Sequence, residues 1–165
     1  MAAFAAGVRE VLLHIYDLHS SNSWLGRVGL GFYHSGVEIG GKEYTFSNEG
    51  VIQHTPKAVV SENCTFKCTQ VVGEFSGSIG DIRGIIRDLR EGSFKPGTYN
   101  VTRRNCNHFS DELCQALVGQ GIPPWVNRVA SAASWAGFGP EAQNAAAVEG
   151  KGGSGSQAMG AGSKD

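Results

Sequence analysis

The chain has 165 residues, of which 41% are hydrophobic, and its 14 Lys and Arg against 15 Asp and Glu give a formal net charge of −1. This length predicts one domain with a substantial hydrophobic core. The balanced charge, with no basic block, excludes an obvious nucleic-acid footprint or polybasic membrane patch, and no apolar run approaches the ~18 residues of a membrane-spanning helix.

Short apolar segments in the first half of the chain predict a mostly antiparallel sheet. Residues 11–16 are apolar and rich in β-branched and aromatic side chains, which predicts a buried strand. Residues 28–34 follow a period of two, which places His34 on the same face as three apolar side chains. The pair Gly40-Gly41 predicts a hairpin. The returning strand and two further strands are predicted at residues 43–46, 51–54 and 65–72.

Helical periodicity begins after residue 77. Apolar residues recur every three or four positions over residues 79–89, with Ser78 as the predicted N-cap and Gly92 near the end of the helix. A turn at residues 95–97 and a short extended segment at residues 99–102 follow.

A second helix is predicted to begin at Cys106. Phe109, Leu113 and Leu117 lie on one helical stripe, and Gly119 marks the end of the helix. The following proline pair opens a third helix with a narrow apolar face.

From about residue 137 the chain consists mainly of Gly, Ala and Ser, with too few hydrophobic residues to offset the entropy of ordering. The order of elements therefore predicts one α+β domain over residues 1–136 and a disordered tail over residues 137–165.

Cys106 is the strongest candidate for a catalytic residue. Polar residues flank it, and Asn105 is the predicted cap of the helix that Cys106 begins. The unpaired N–H groups of a helix N-terminus favour the thiolate, so we expect a reactive thiol with a depressed pKa. Cys64, Cys68 and Cys114 are instead predicted to be small core residues.

A thiol nucleophile also needs a base, which the spacing of the histidines does not identify. His108 lies two residues from Cys106 on the predicted helix, so the two side chains point to different faces and His108 is expected to cap or pack. His14, His34 and His54 each fall in predicted strands, where a histidine is often a packed residue.

The four cysteines are expected to be free thiols that bind no metal. Cys64 and Cys68 form half of a zinc-like pattern, but no second pair follows, and we expect no cofactor. The apolar N-terminal residues are few and lack a cationic start, so no signal peptide is expected. The expected compartment is the reducing cytosol, with access to the nucleus.

Four sequence blocks, in this order, resemble one family. The blocks are Tyr16-Asp17-Leu18, Phe32-Tyr33-His34-Ser35-Gly36-Val37-Glu38, Asn105-Cys106-Asn107-His108-Phe109-Ser110 and Ile122-Pro123-Pro124-Trp125-Val126-Asn127-Arg128. Over roughly residues 8–135 the chain is similar to the PPPDE family, the desumoylating isopeptidase group of circularly permuted papain-fold peptidases. The resemblance implies a permuted papain-like fold, with a mostly antiparallel sheet or barrel packed against helices.

By position, the resemblance implies His34 as the base and Cys106 as the nucleophile, since the histidine precedes the cysteine in that family. It implies cleavage of isopeptide or peptide bonds at the C-terminus of ubiquitin-like modifiers (SUMO or ubiquitin), with modifier conjugates as partners, and a homodimer. The backbone N–H of Cys106 is the expected first oxyanion donor, and the second donor stays open. The third catalytic residue also stays open, with Asp17, Glu43, Ser47 and Asn48 as candidates.

Other functions stay open beside the isopeptidase. Thioester cleavage (depalmitoylation) is associated with the same family, and related permuted lipid acyltransferases have a similar cysteine block, although they typically carry Glu where this chain has Asn107. A catalytically silent modifier-binding module is a third possibility. Gly29, Gly31 and Gly36 are expected either to admit an extended Gly-Gly segment of a modifier beside His34 or to relieve crowding at a bend.

Overall fold

The computed structural model describes residues 7–18, 33–58 and 64–128. Five strands form one antiparallel sheet with the spatial order β4-β3-β2-β1-β5. They are β1 (Gly7–Leu18), β2 (Tyr33–Ile39), β3 (Lys42–Ser47), β4 (Gly50–His54) and β5 (Cys64–Gly77). The predicted third helix beyond Arg128, the tail and the boundary between domain and tail lie outside the described residues and stay predictions.

Strands β1 and β5 are longer than the apolar pattern indicates. They pair from Gly7↔Gly77 to Leu18↔Cys64, whereas the pattern predicts residues 11–16 and 65–72. The added ends carry exposed side chains such as Val8, which is 64% exposed. The added end of β5 also contains Phe75, which belongs to the core, and backbone pairing continues along the whole length of both strands.

Strand β2 places His34 away from the core. Its core-facing side chains are the odd-numbered ones from Tyr33 to Ile39, and His34 and Glu38 point to the other face. Within β2, His34 therefore lies on the face away from the core, and the prediction that it shares a face with the apolar side chains of residues 28–32 stays a prediction because those residues lie outside the described ranges. The hairpin that follows β2 is confirmed, because Gly40 and Gly41 have φ of 61° and 74°.

The two described helices begin at the predicted caps. Helix α1 (Ile79–Glu91) follows Ser78, whose side chain accepts a hydrogen bond from the backbone N–H of Asp81, while the Asp81 carboxylate accepts one from the Ser78 N–H. Helix α2 (Cys106–Val118) ends at Gly119, where the left-handed φ of 70° favours glycine.

The predicted extended segment at residues 99–102 is interrupted by a turn that spans Asn100 to Arg104. Asn100 and Arg104 form an isolated bridge, and the Asn100 side-chain oxygen accepts hydrogen bonds from the backbone N–H groups of Thr102 and Arg103 at 3.1 and 2.9 Å. An asparagine can form such a turn with its own side chain, which strand periodicity does not register. This turn leads the chain into α2.

One hydrophobic core joins the sheet to both described helices. Its most buried members from the sheet and from α2 are Leu13, Ile15, Val37, Phe46, Phe109 and Leu113. The opposite side of strands β1–β3, which we call the polar face, carries His14, Tyr16, His34, Glu38, Glu43 and Thr45. A sheet covered by helices on one face confirms the α+β architecture.

Candidate active site

Cys106 occupies the first position of α2 and is 5% exposed. The helix cap confirms the sequence prediction, since the Asn105 side chain accepts a hydrogen bond from the His108 backbone N–H at 3.0 Å. The Asn105 backbone N–H in turn donates to His108 Nδ1 at 3.2 Å. His108 therefore caps the helix, as expected, and Cys106 stands in the first turn between the two capping residues.

The thiol of Cys106 is surrounded by hydrogen-bond donors. The backbone N–H groups of Ser35 and Asn107 and the hydroxyl of Tyr99 all lie within hydrogen-bonding reach of the sulfur. The Ser35 N–H belongs to the peptide that joins Ser35 to His34. The thiol of the predicted nucleophile therefore lies beside the backbone of the predicted base.

The protonation of this pair differs from the expectation. Burial raises the pKa of the Cys106 thiol, and this effect exceeds the lowering by the surrounding N–H and hydroxyl donors. Burial likewise lowers the pKa of His34, against a smaller opposite effect of the Glu43 carboxylate. The expected depressed pKa of Cys106 is therefore wrong, because removal from water disfavours both charged forms and favours a neutral thiol and a neutral imidazole.

Buried polar contacts hold α2 against β2 on both sides of His34. The Ser35 hydroxyl lies 2.7 Å from Asn107 Oδ1 and 2.8 Å from the Ser110 hydroxyl. The Asn107 amide nitrogen donates to the Tyr33 carbonyl at 3.0 Å. Sequence reasoning missed these roles, although one signal was present: Ser35, Asn107 and Ser110 are polar residues at positions whose periodicity predicts burial.

His34 is half-buried on the polar face. Its ring lies 5.8 Å from the ring of Tyr16, and its Nε2 lies 3.3 Å from the hydroxyl oxygen of Thr45. Among the described residues, no hydrogen bond joins the imidazole to the Cys106 thiol. Catalytic hydrogen bonds are often long in unliganded enzymes, so this geometry is compatible with a Cys–His pair.

None of the four candidates for the third residue, all of them among the described residues, forms a hydrogen bond with His34. Asp17 pairs with Lys67 at 3.1 Å, and Ser47 accepts a hydrogen bond from the Glu49 N–H. The Asn48 carbonyl accepts one from the Gly97 N–H. Glu43 is fully buried, but its carboxylate accepts hydrogen bonds from the Tyr16 hydroxyl and from the Lys57 N–H, each at 2.8 Å.

The space beside Gly36 is filled by the Glu43 carboxylate. A Cβ placed on Gly36 would collide with Glu43 Oε1 and lie 2.8 Å from its Cδ. The expectation that Gly36 leaves room for a substrate segment is therefore wrong, and the alternative that this glycine relieves crowding is supported.

The remaining cysteines behave as expected. None of the four cysteines, all of which are among the described residues, forms a disulfide; Cys64 and Cys114 are buried, and Cys68 is half-buried against the core. Burial raises the pKa of Cys114 to about 12, so this thiol is inert. Within the described ranges, no group of three or more metal-ligating side chains is found, and no helix there is long and apolar enough to cross a membrane.

An open cavity of about 320 Å³ lies against Tyr99, with Arg103 and Arg104 on its wall. The Tyr99 hydroxyl contacts both the thiol and the backbone N–H of Cys106. Tyr99 therefore lines the cavity and also contacts the first residue of α2.

The sequence matches the PPPDE putative peptidase domain over residues 9–146. It is 38% identical over 128 residues to the desumoylating isopeptidase 1 homolog of Caenorhabditis elegans. The aligned region covers 73% of this chain and 38% of the worm protein. It is 33% identical over 138 residues to a DeSI-like protein of Arabidopsis thaliana, and the aligned region covers 79% of this chain and 59% of that protein. Human desumoylating isopeptidase 1 is 27% identical over 135 residues, with coverages of 73% and 74%. The chain thus spans less than two thirds of the first two relatives.

Proposed function

Because the chain belongs to the PPPDE peptidase family, we propose that it is a cysteine isopeptidase that removes SUMO from lysine side chains, with Cys106 as nucleophile and His34 as base. The names of the worm and human relatives support this class of substrate. The observation that carries the proposal is the position of the Cys106 thiol, at a helix start beside the His34–Ser35 peptide.

The reaction begins from the neutral pair. The Cys106 sulfur attacks the carbonyl carbon of the C-terminal glycine of the modifier, while its proton moves to the His34 imidazole. The imidazolium then gives this proton to the lysine nitrogen as the C–N bond breaks, which leaves a thioester on Cys106. Water attacks the thioester carbonyl with His34 again as base; the C–S bond then breaks, His34 returns the proton to the Cys106 sulfur, and the modifier leaves with a free carboxylate.

The oxyanion of each tetrahedral intermediate needs donors beside the sulfur. The backbone N–H of Cys106 is one, and we assign the second to the Tyr99 hydroxyl, which lies at both the thiol and this N–H. Two arginines on the wall of the adjacent cavity give the surface beside Tyr99 a positive charge. The cavity offers an approach for the modifier C-terminus.

The test uses three substrates with the full chain: a SUMO–lysine isopeptide conjugate, the matching ubiquitin conjugate and a small acyl thioester. We expect cleavage of the SUMO conjugate and labelling of Cys106 by SUMO with a C-terminal electrophile, as located by mass spectrometry. Cys106→Ala should abolish both. Cys68→Ala is the matched control, since Cys68 is a half-buried thiol in β5 and should keep the wild-type rate.

Each alternative gives a different result. Cleavage of the thioester alone would overturn the isopeptidase assignment in favour of a thioesterase. Faster cleavage of the ubiquitin conjugate would overturn the choice of SUMO. Tight binding of SUMO with no turnover of any substrate would identify a silent binding module.

A further inference from the structure

We propose that Thr45 is the positioning residue of His34: its hydroxyl oxygen accepts a hydrogen bond from Nε2–H of the imidazole and so leaves Nδ1 as the basic nitrogen. The catalytic meaning of this contact rests on the proposed function. The tautomer itself is a property of the free protein and can be measured without a substrate.

The contact arises where β2 and β3 stop pairing. Their register runs from Ile39↔Lys42 to Val37↔Tyr44 and ends there, so Thr45 has no partner residue on β2. Thr45 is fully buried, and its hydroxyl instead reaches the Ser35 carbonyl at 2.8 Å. Beyond the last paired residues, the Thr45 hydroxyl thus lies 3.3 Å from Nε2 of the His34 ring.

The proton count at Thr45 fixes the direction of the second contact. A hydroxyl group has one proton, and the Ser35 carbonyl can only accept, so the short 2.8 Å contact uses the Thr45 proton. The lone pairs of the hydroxyl oxygen then face His34 Nε2 at 3.3 Å. Only a protonated Nε2 can complete this arrangement, which selects the Nε2–H tautomer of the neutral ring.

This tautomer is the one that the proposed reaction requires. Nδ1 is the ring nitrogen nearer to the backbone, and the Cys106 thiol lies beside the His34–Ser35 peptide. With Nε2 protonated, Nδ1 carries the lone pair that has to accept the thiol proton in the proposed reaction. Orientation of a base by a third group is a recurrent feature of nucleophilic sites.

The titratable groups around His34 support Thr45 rather than a carboxylate as its direct partner. Glu43 from β3 acts on His34 only through its charge, because its oxygens are bound by Tyr16 from β1 and by the Lys57 N–H. Cys106 faces the backbone of β2 from α2. Thr45 is thus the described residue whose side chain hydrogen-bonds the imidazole.

The first test is long-range ¹H–¹⁵N NMR of the labelled free protein, with the His34 signals assigned by their loss in His34→Ala. We expect Nε2 to be protonated and Nδ1 to carry the lone pair at pH 7.5. Thr45→Val, which removes the hydroxyl at constant shape, should shift population to the Nδ1–H tautomer, and Thr45→Ser should not. A wild-type ring protonated on Nδ1 would overturn the proposal even if the enzyme is active.

The second test is the pH profile of SUMO-conjugate cleavage. We expect Thr45→Val to lower kcat about tenfold with little change in KM, and to move the acid limb of kcat/KM to lower pH, because the imidazolium loses an acceptor. Thr45→Ser should restore both. The matched control is Thr69→Val, which removes a hydroxyl 2.8 Å from His14 and should change neither.

Thermal unfolding of each variant separates positioning from folding. Thr45 would serve the fold alone if three results were found together. Thr45→Val and Thr45→Ser would lose the same fraction of the rate, that loss would be proportional to their loss of stability, and the acid limb of kcat/KM would not move. If no variant and no wild-type protein cleaves a conjugate, the proposed function fails, whereas the tautomer result still decides the role of Thr45.

Discussion

At Cys106 two physical effects oppose each other. The first turn of α2 and the donors from Ser35 and Tyr99 stabilise a thiolate, but a helix terminus contributes only about 0.3–1 kcal/mol at an exposed site and up to ~2 kcal/mol when partly buried. Burial outweighs them and raises the pKa of the thiol. In the free protein Cys106 is therefore a neutral thiol, and under the proposed function its proton would leave only as the sulfur attacks.

This balance predicts the pH dependence of alkylation. Thiolate formation at Cys106 is disfavoured in the folded chain, so the rate of its reaction with iodoacetamide should rise at a higher pH than that of a free cysteine, whose pKa is about 8.5. Mass spectrometry of the labelled peptide measures the rate at Cys106, and a synthetic peptide spanning residues 100–112 gives the reference. A midpoint below that of the peptide would contradict the neutral pair.

A second prediction concerns Tyr99. Tyr99→Phe removes the hydroxyl at the thiol but keeps the ring, which lies 5.5 Å from the ring of Phe46. Loss of an oxyanion donor typically lowers kcat by about a hundredfold or more, so we expect a loss of that order with an almost unchanged melting temperature. Tyr44→Phe is the control, since Tyr44 is a buried tyrosine of β3, and its rate should stay at the wild-type level. Full activity of Tyr99→Phe would contradict the assignment of the Tyr99 hydroxyl as an oxyanion donor.

The residues of the site differ in how far the sequence could identify them. Asn105 and Cys106 follow from local chemistry, because a cap and the first turn of a helix are set by neighbours in the chain. Thr45 does not, because its contact with His34 depends on where β2 and β3 stop pairing. The direction of the Cys106 pKa shift could not be predicted from the sequence either, because burial of the thiol between β2 and α2 is a tertiary effect.

At the scale of elements, the junction between β2 and β3 has a steric requirement at Gly36. The Glu43 carboxylate lies where a side chain of Gly36 would be, and the same carboxylate binds Tyr16 and Lys57 from neighbouring segments. A strand glycine here serves the close approach of a buried carboxylate rather than strand flexibility. Hairpin and helix ends were predictable from glycines and caps, whereas this cross-strand contact was not.

Two glycine substitutions test this requirement. Gly36→Ala should lower the free energy of unfolding by about 1–3 kcal/mol through overpacking against Glu43. It should reduce turnover of a SUMO conjugate and of a small thioester to the same extent. Gly84→Ala, in α1 with open space around its Cα, should instead stabilise the fold by about 0.5–1 kcal/mol. Urea unfolding measures both, and a selective loss on the SUMO conjugate in Gly36→Ala would restore a substrate role for this glycine.

At the scale of the whole molecule, the buried ionisable groups set the pH range of stability. Burial lowers the pKa of His34, so below about pH 6.5 the unfolded chain binds a proton that the folded chain does not, and stability falls as pH decreases. Burial raises the pKa of Cys106 and Cys114, so above about pH 8.5 the unfolded chain releases protons that the folded chain retains. Stability then falls as pH increases.

The expected result is a maximum of the unfolding free energy between about pH 6.5 and 8.5, measured by urea titration from pH 5 to 9.5. Cys106→Ser removes one buried thiol and should make the decrease above pH 8.5 shallower. His34→Ala should make the decrease below pH 6.5 shallower. Stability that rises steadily up to pH 9.5 would contradict the assignment of neutral buried thiols.

The pairing of β1 with β5 also bears on how the chain acquires its structure. Gly7 pairs with Gly77 across a separation of 70 residues, whereas β2, β3 and β4 pair with their neighbours in the chain. Closing such a long loop costs more entropy than closing a hairpin, so the local meander should form before the long ladder, and the folding rate should be set by the latter. His34 and Cys106 lie 72 positions apart on β2 and α2, so in a chain emerging from the ribosome the candidate site should assemble only after α2 has been synthesised and has packed on β2.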